Sequence, residues 1–424
     1  MGRADRHRKV ALTETYRKTA IQSPLHAHRG PAAAFCIHAT LPPVAAFDNE
    51  LVRIVEGLNR ASRQPAAQVL PSTQSLDRLL AFAARQNASD LLLVAGCGVA
   101  MRINGSLAPA TGPALSGEDI RSLVVPLLDA ARLQELQTAK SIDLCFVREQ
   151  IGRIRANIHQ QRGTLAASMR LLPARIPTLE GLHLPPVLSR IAERRQGLVL
   201  VTGPTGCGKS STLAAMIDQI NTRRRDHIVT IEDPVEYQHP NRNSVVEQIE
   251  VGHDTPDFVH SLRSILRQTP DVILVGEMRD PETIATVLTA AETGHLVFST
   301  MHSNDTSQAV SRILDAFPSG NQPQIRQQLS LALLAIVSQQ LVPGADRVAR
   351  YPAVGVLVAS DAVRNLIRKG DDHQLRSQIS VGRADGMMTM EQSLAELARS
   401  GRILRETAFG HCFRPEDLRR YLDG

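Results

Sequence analysis

Residues 203–210 read GPTGCGKS and fit G-x-x-x-x-G-K-[ST]. Glycines at this spacing let the backbone curl until several N–H groups face one phosphate group. Lys209 brings a positive charge for the β- and γ-phosphates, and Ser210 brings a hydroxyl for Mg²⁺. So short a pattern recurs by chance, and its surroundings decide its meaning. Here it follows the apolar run GLVLVT and opens KSSTLAAMIDQI, which is rich in helix formers. A helix beginning near Lys209 would point the positive end of its dipole at the same phosphates. A glycine turn without a ligand has no use for both Lys209 and Ser210. The candidate nucleotide-binding residues are Gly203, Pro204, Thr205, Gly206, Cys207, Gly208, Lys209, Ser210 and Ser211.

Three more apolar runs end in groups that could serve the same chemistry. HIVTIED ends at Glu232 and Asp233 and continues to Glu236; DVILVGE ends at Glu277; HLVFSTMH ends at His302. Nucleotide hydrolysis needs a Mg²⁺ held by oxygen ligands and a group that orients or deprotonates the attacking water. Ser210 and Glu277 are the candidate Mg²⁺ ligands, partly through water, and Glu236 is the candidate for the attacking water. The bland reading of Glu277 is a cap for a following helix, a task for which Asp280 is better placed. His295 and His302 are seven residues apart. On one strand that spacing puts them on opposite faces, so they do not share a metal. His302, at the carboxyl end, is the functional candidate; His295, at the start of the strand, is mainly structural.

The elements that must hold these groups follow from periodicity. Five apolar runs read as strands: 197–203, 227–233, 271–277, 295–302 and 353–360. Helices are predicted between them at 209–222, 256–268, 281–293, 306–316 and 323–340. Near-continuous apolar strands alternating with helices indicate an α/β domain with a mainly parallel sheet covered on both faces. Ligands of such sheets sit at the carboxyl ends of the strands. Residues 71–172 form a smaller α+β domain, with a turn at Asn104-Gly105 and a helical stretch interrupted near Pro126. A proline-rich linker, 173–196, leads into the nucleotide domain, 197–424, whose last part from about 360 is helical.

Composition sets the outer limits. A chain of 424 residues suggests two or three domains. No run approaches the ~18–20 continuous apolar residues of a membrane span. The N-terminus lacks an apolar signal core, which predicts a cytoplasmic chain. The five cysteines are scattered and form no C-x-x-C pair, which argues against a disulfide framework or a zinc ribbon. The net charge is +6, yet residues 1–30 alone hold seven Lys/Arg against two acids. The rest is therefore nearly neutral. Residues 1–70 are predicted to be a disordered basic extension, with a short helix near 48–60, able to touch an anionic surface. Aromatic content of 3% leaves few platforms for stacking bases, and no specific nucleic acid is indicated.

Four segments, GPTGCGKSSTLAAMID, TIEDPVEYQH, RQTPDVILVGEMRDPETI and TGHLVFSTMHSND, stand in the order of the Walker A, Asp, Walker B and His boxes. In this the chain resembles the secretion ATPase superfamily and, within it, the PilT-like pilus-retraction ATPases. LLAFAARQNASDLLLVAG, AVRNLIRKG and GMMTMEQSLAELARSGRI are similar to further segments of that group, so the likeness covers about 72–405. It implies a RecA-like motor domain preceded by a PAS-like domain. It implies ATP and Mg²⁺ as cofactors, Glu277 as the Walker B acid, Glu236 as general base, and His302 with His295 in the His box. Arginines of the N-terminal domain, here Arg155, Arg162 and Arg170, would reach a neighbour's nucleotide in trans. The implied assembly is a homo-hexamer at the inner face of the cytoplasmic membrane. Its implied partners are a pilus platform protein of the inner membrane and a second pilus ATPase. The implied work is pilus retraction, which drives twitching motility. The alternatives are a related motor for conjugation, DNA uptake or type II/IV secretion, and, from other classes, a DNA-translocating motor or a non-hydrolysing regulator. The chain departs from the group at Leu92 (usually His), Lys369 (usually Glu) and Cys207 (usually Ser). The segment holding Lys369 is tied to retraction in that group, so this departure bears on retraction and not on hydrolysis. It also lacks the four-cysteine zinc motif of the extension ATPases.

Overall fold

A computed structural model describes residues 75–423, apart from 104, 110, 111, 150, 174 and 304. The extension 1–70, with the helix expected near 48–60, lies outside the described residues.

The N-terminal part carries strands β1 (Ala88–Leu93), β2 (Ala100–Ile103), β3 (Ser106–Pro109), β4 (Ser141–Arg148), β5 (Gly152–Gln161) and β6 (Thr164–Leu171). They form one antiparallel sheet in the order β3-β2-β1-β6-β5-β4. Alternation along each strand puts Leu91, Leu93, Ile154, Ile158 and Met169 on a buried face. Helices Leu76–Arg85, Gly117–Val124 and Ala130–Ala139 share this core through Leu79, Leu80, Ile120, Val124 and Leu136. The helical stretch breaks at Pro126, where residues Val125–Leu127 form a 3-10 turn. On the solvent face a polar row crosses the strands, with Arg102 opposite Asp90, Asp90 opposite Arg170, and Arg170 opposite Arg155.

The second sheet holds β7 (Gly197–Thr202), β8 (His227–Glu232), β9 (Val245–Glu250), β10 (Val272–Val275), β11 (Leu296–Met301), β12 (Leu333–Pro343) and β13 (Arg350–Val358). Its order is β13-β12-β7-β11-β10-β8-β9, and every pairing is parallel except β12 with β13. Period two sorts the apolar strands onto two faces. Leu198, Leu200, Ile273, Val275 and Val297 join one core, while Val199, Val201, Val272, Leu274 and Phe298 join the other. Helices cover both faces, as continuous apolar strands require. The stretch 179–192, predicted as part of a linker, packs Leu179, Leu184, Val187, Leu188 and Ile191 into the second of these cores.

Two expectations are corrected. The helix predicted over 323–340 is the helix Gln322–Ala332 followed by β12. The run LLAIV at 333–337 is buried throughout and pairs with β7, so the ladder outweighs the helical pattern. Strand β9, unpredicted, forms the edge beside β8.

The helical C-terminal part packs on β12 and β13 through Val342, Ala353, Met390, Leu394 and Leu418. Glu391, with no exposed surface, bonds Arg376 at 2.7 Å, and Arg376 also meets Asp417 at 3.0 Å. Pairing of this kind is what allows a carboxylate to be buried.

Candidate active site

Parallel pairing brings the carboxyl ends of β7, β8, β10 and β11 to one edge, and each of the four sequence segments leaves the sheet there. The loop after β7 turns through Gly203, Gly206 and Gly208 at φ of 146°, 79° and 93°. Side chains rarely tolerate this left-handed region. The helix Lys209–Arg223 then starts from Gly208 with no side-chain cap. Its first N–H groups are left for an anion. Lys209 Nζ donates to the carbonyl oxygens of Gly203 at 2.9 Å and Pro204 at 3.1 Å, curled over its own loop. Thr205 and Gly206 are exposed at the tip, while Cys207 is buried, which raises its thiol pKa.

Gln339, on β12, braces this loop from behind. Its side-chain nitrogen donates to Cys207 O at 2.7 Å, and its oxygen accepts from Thr212 Oγ1 at 2.8 Å. A Cβ at Gly203 would stand 2.2 Å from Gln339 O, and one at Gly208 would stand 2.8 Å from Gln339 Nε2. Gly203 is thus required by contact with backbone as well as by φ, while a side chain at Gly208 would push on the bracing Gln339 amide and is disfavoured chiefly by φ.

Ser211 Oγ and Tyr237 OH lie 2.8 Å apart, linking the start of the nucleotide helix to the loop after β8. At the end of β8 Glu232 is held by Thr230 Oγ1 at 2.8 Å and Gln248 Nε2 at 3.2 Å. Burial pushes its carboxyl pKa up. Its other oxygen faces the backbone N–H of Glu236 at 3.4 Å, while the Glu236 side chain is exposed. Of the two acids, Glu232 is engaged in the fold and Glu236 is free to meet a ligand.

Glu277 follows β10, with its side chain 15% exposed. Arg279 Nε lies 2.6 Å from its carboxylate, and His302 Nε2 lies 3.8 Å away, ion-pair range when the imidazole is protonated. Asp280 caps the helix Pro281–Glu292, accepting from Thr283 N at 2.8 Å. The cap is therefore Asp280, as its position suggested, and Glu277 is free of that task. The two histidines separate as expected. His295 Nδ1 lies 2.9 Å from Ala290 O, away from the carboxyl edge, and His302 follows β11 beside Glu277. Among the described residues no cluster of three His, Cys, Asp or Glu could hold a metal alone.

The three arginines do not stay together. Arg155 and Arg170 are cross-strand neighbours, and Arg170 bonds Asp90 at 3.0 Å. Arg162 sits in the β5–β6 turn at φ 49°, beyond the last pair of that ladder, Gln161 with Thr164. Arg155 lines a cleft of about 610 Å³ between the N-terminal sheet and the loop after β8, with Arg132, Arg153, Asp233, Glu250 and Asp254.

Sequence reasoning missed Gln339, Tyr237, Arg279 and the pair Arg153–Glu250. For Gln339 there was a signal: adjacent glutamines interrupt the apolar run LLAIVSQQLV.

Fold and site define the class: a P-loop nucleotide-binding protein whose site lies on the carboxyl edge of a mainly parallel sheet. The family model described as "Type II/IV secretion system protein" matches residues 182–401. The "Twitching motility protein" of Neisseria gonorrhoeae is 42% identical over 334 residues, covering 79% of this chain and 89% of that one. The "Type IV pilus retractation ATPase PilT" of Pseudomonas aeruginosa is 40% identical over 345 residues, 81% and 99% of the two chains. A solved structure of "the Pilus Retraction Motor PilT and Bound ADP" is 42% identical with a TM-score of 0.76, covering 82% of this chain and 99% of that one. The chain belongs to this family of ATPases, among its PilT-like members. Among the described residues no helix is long and apolar enough to cross a membrane.

Proposed function

We propose that the chain is a hexameric ATPase motor that drives type IV pilus retraction, working in the cytoplasm against a platform protein of the inner membrane. The observation that carries this reading is the convergence of an uncapped P-loop helix, a free Glu236 and the Glu277–His302 pair on one sheet edge. The likeness to a pilus retraction motor over most of both chains supports the biological role.

Lys209 turns from its own carbonyls to the β- and γ-phosphates, and the helix N–H groups share their charge. Glu236 takes a proton from the attacking water. His302 senses the γ-phosphate and transmits its loss to Glu277 across the 3.8 Å contact. Ser210 and Glu277 offer hard oxygens that fit Mg²⁺, a cation that needs one or two carboxylates beside phosphate oxygens. Held there, the ion would supply positive charge to offset the charge developing on the phosphates. Arg155, Arg162 and Arg170 serve a neighbour's nucleotide in the ring, and a second pilus ATPase shares the task.

Gene deletion complemented with variants tests the reading. Loss of the gene is expected to abolish twitching and leave excess, immobile pili, and Lys209→Ala to fail to restore motility. In purified protein Glu236→Gln is expected to bind ATP but lose about 10²-fold in turnover. A wild-type hexamer without turnover would exclude a motor. A deletion that spares twitching and blocks secretion or DNA uptake would point to the related motors instead.

A further inference from the structure

Glu250 ends β9, at the edge of the nucleotide-domain sheet. One of its carboxylate oxygens, Oε2, has two donors. Val235 N, one residue before Glu236, donates at 3.0 Å. A guanidinium nitrogen of Arg153, on β5 of the N-terminal sheet, donates to the same atom. The side chains are 18% and 14% exposed. Among the described residues no other side-chain hydrogen bond or ion pair joins the two sheets. Asp254 supports the arrangement. It accepts from Glu250 N at 2.9 Å, and that bond chiefly, then the His253 side chain and least of all the charge of Arg153, holds its carboxyl below the usual range.

We propose that Arg153 and Glu250 are a positioning pair that ties the N-terminal sheet to the loop carrying Glu236, so that the attitude of one domain sets the catalytic competence of the other. The inference rests on the reading of Glu236 given above. An oxygen shared by two donors cannot follow both when they separate. If the N-terminal sheet turns away, either Arg153 is left partly buried without its partner or Glu250 releases Val235 N. An unpaired charge in such a place is costly, so Glu250 follows Arg153 and gives up Val235 N. Displacing Val235 displaces Glu236, and catalytic geometry is intolerant of shifts near 1 Å. The nucleotide-binding loop is braced separately by Gln339, and its contact with the loop after β8, Ser211 with Tyr237, lies beyond Glu236. The pair should therefore act on turnover and not on nucleotide affinity.

Charge reversal in the full chain provides the test. Arg153→Glu and Glu250→Arg are each expected to lower kcat about 10-fold or more, with KM for ATP and Kd for ADP within about 3-fold of wild type. Amide hydrogen exchange over residues 233–237 is expected to rise in both. The double reversal should recover kcat to within about 3-fold and restore protection. If the reversals do not fold, Arg153→Gln carries the same expectation for kcat and exchange. Full kcat in the single variants would overturn the proposal, as would a double variant no better than either single or unchanged exchange over 233–237. Full turnover in Glu236→Gln would instead refute the assignment of the base, and exchange would still report on the latch.

Discussion

The side-chain nitrogen of Gln339 donates to the carbonyl oxygen of Cys207 at 2.7 Å, so a residue on β12 holds the shape of a loop more than a hundred residues earlier. The same amide takes the Thr212 hydroxyl. Gln339→Leu would leave a buried carbonyl and a buried hydroxyl unpaired, each costing about 1–3 kcal/mol. The expected result is a loss of about 2–4 kcal/mol in urea unfolding. ADP affinity should also fall about 10-fold by titration, close to 1.4 kcal/mol. Unchanged affinity and unchanged stability together would deny Gln339 this role.

Asp280 and Glu277 are three residues apart, and of the two Asp280 caps the following helix, which leaves Glu277 for the role proposed above. Asp280→Ala removes an N-cap and should cost about 1 kcal/mol of stability, with ADP affinity unaltered. Glu277→Gln keeps the cap and the shape of the site. It should leave the melting temperature close to wild type and abolish most turnover. Paired melting curves and steady-state rates check both, and the opposite pattern would reverse the two assignments.

His239 gives a pH dependence with a definite sign. Burial chiefly, with Arg242 adding to it and Asp218 opposing it, lowers its pKa from the ordinary 6.5 to about 4. Its Nδ1 is buried with no protein partner among the described residues. The folded pKa lies below the unfolded one, so the folded chain binds fewer protons through that window. Stability associated with neutral His239 is full above pH 6.5 and is lost as pH falls towards about 4. Melting temperature of His239→Gln should therefore decline less than that of wild type over this range. Parallel curves for the two proteins would rule out His239 as the source.

The chemistry was legible because it is local. GPTGCGKS determines its own loop, since glycine spacing, a lysine and a following helix are short-range requirements. The candidates Glu277 and His302 stood out because each ends an apolar run, and Glu236 because it lies just beyond one; a parallel sheet puts such ends on one edge. Asp280 was recognisable as a cap from its place before Pro281. What depended on distant pairing was not legible. LLAIV at 333–337 suits a buried helix or a buried strand equally, and only its register beside β7 decides for the strand. Gln339 gained its role from that decision. Arg153 and Glu250 are 97 residues apart, on different sheets, and neither carries a pattern that announces the other. Local sequence marked the candidate groups; tertiary packing alone chose their braces and the link between domains, because contacts between remote strands are settled by burial and register over the whole fold.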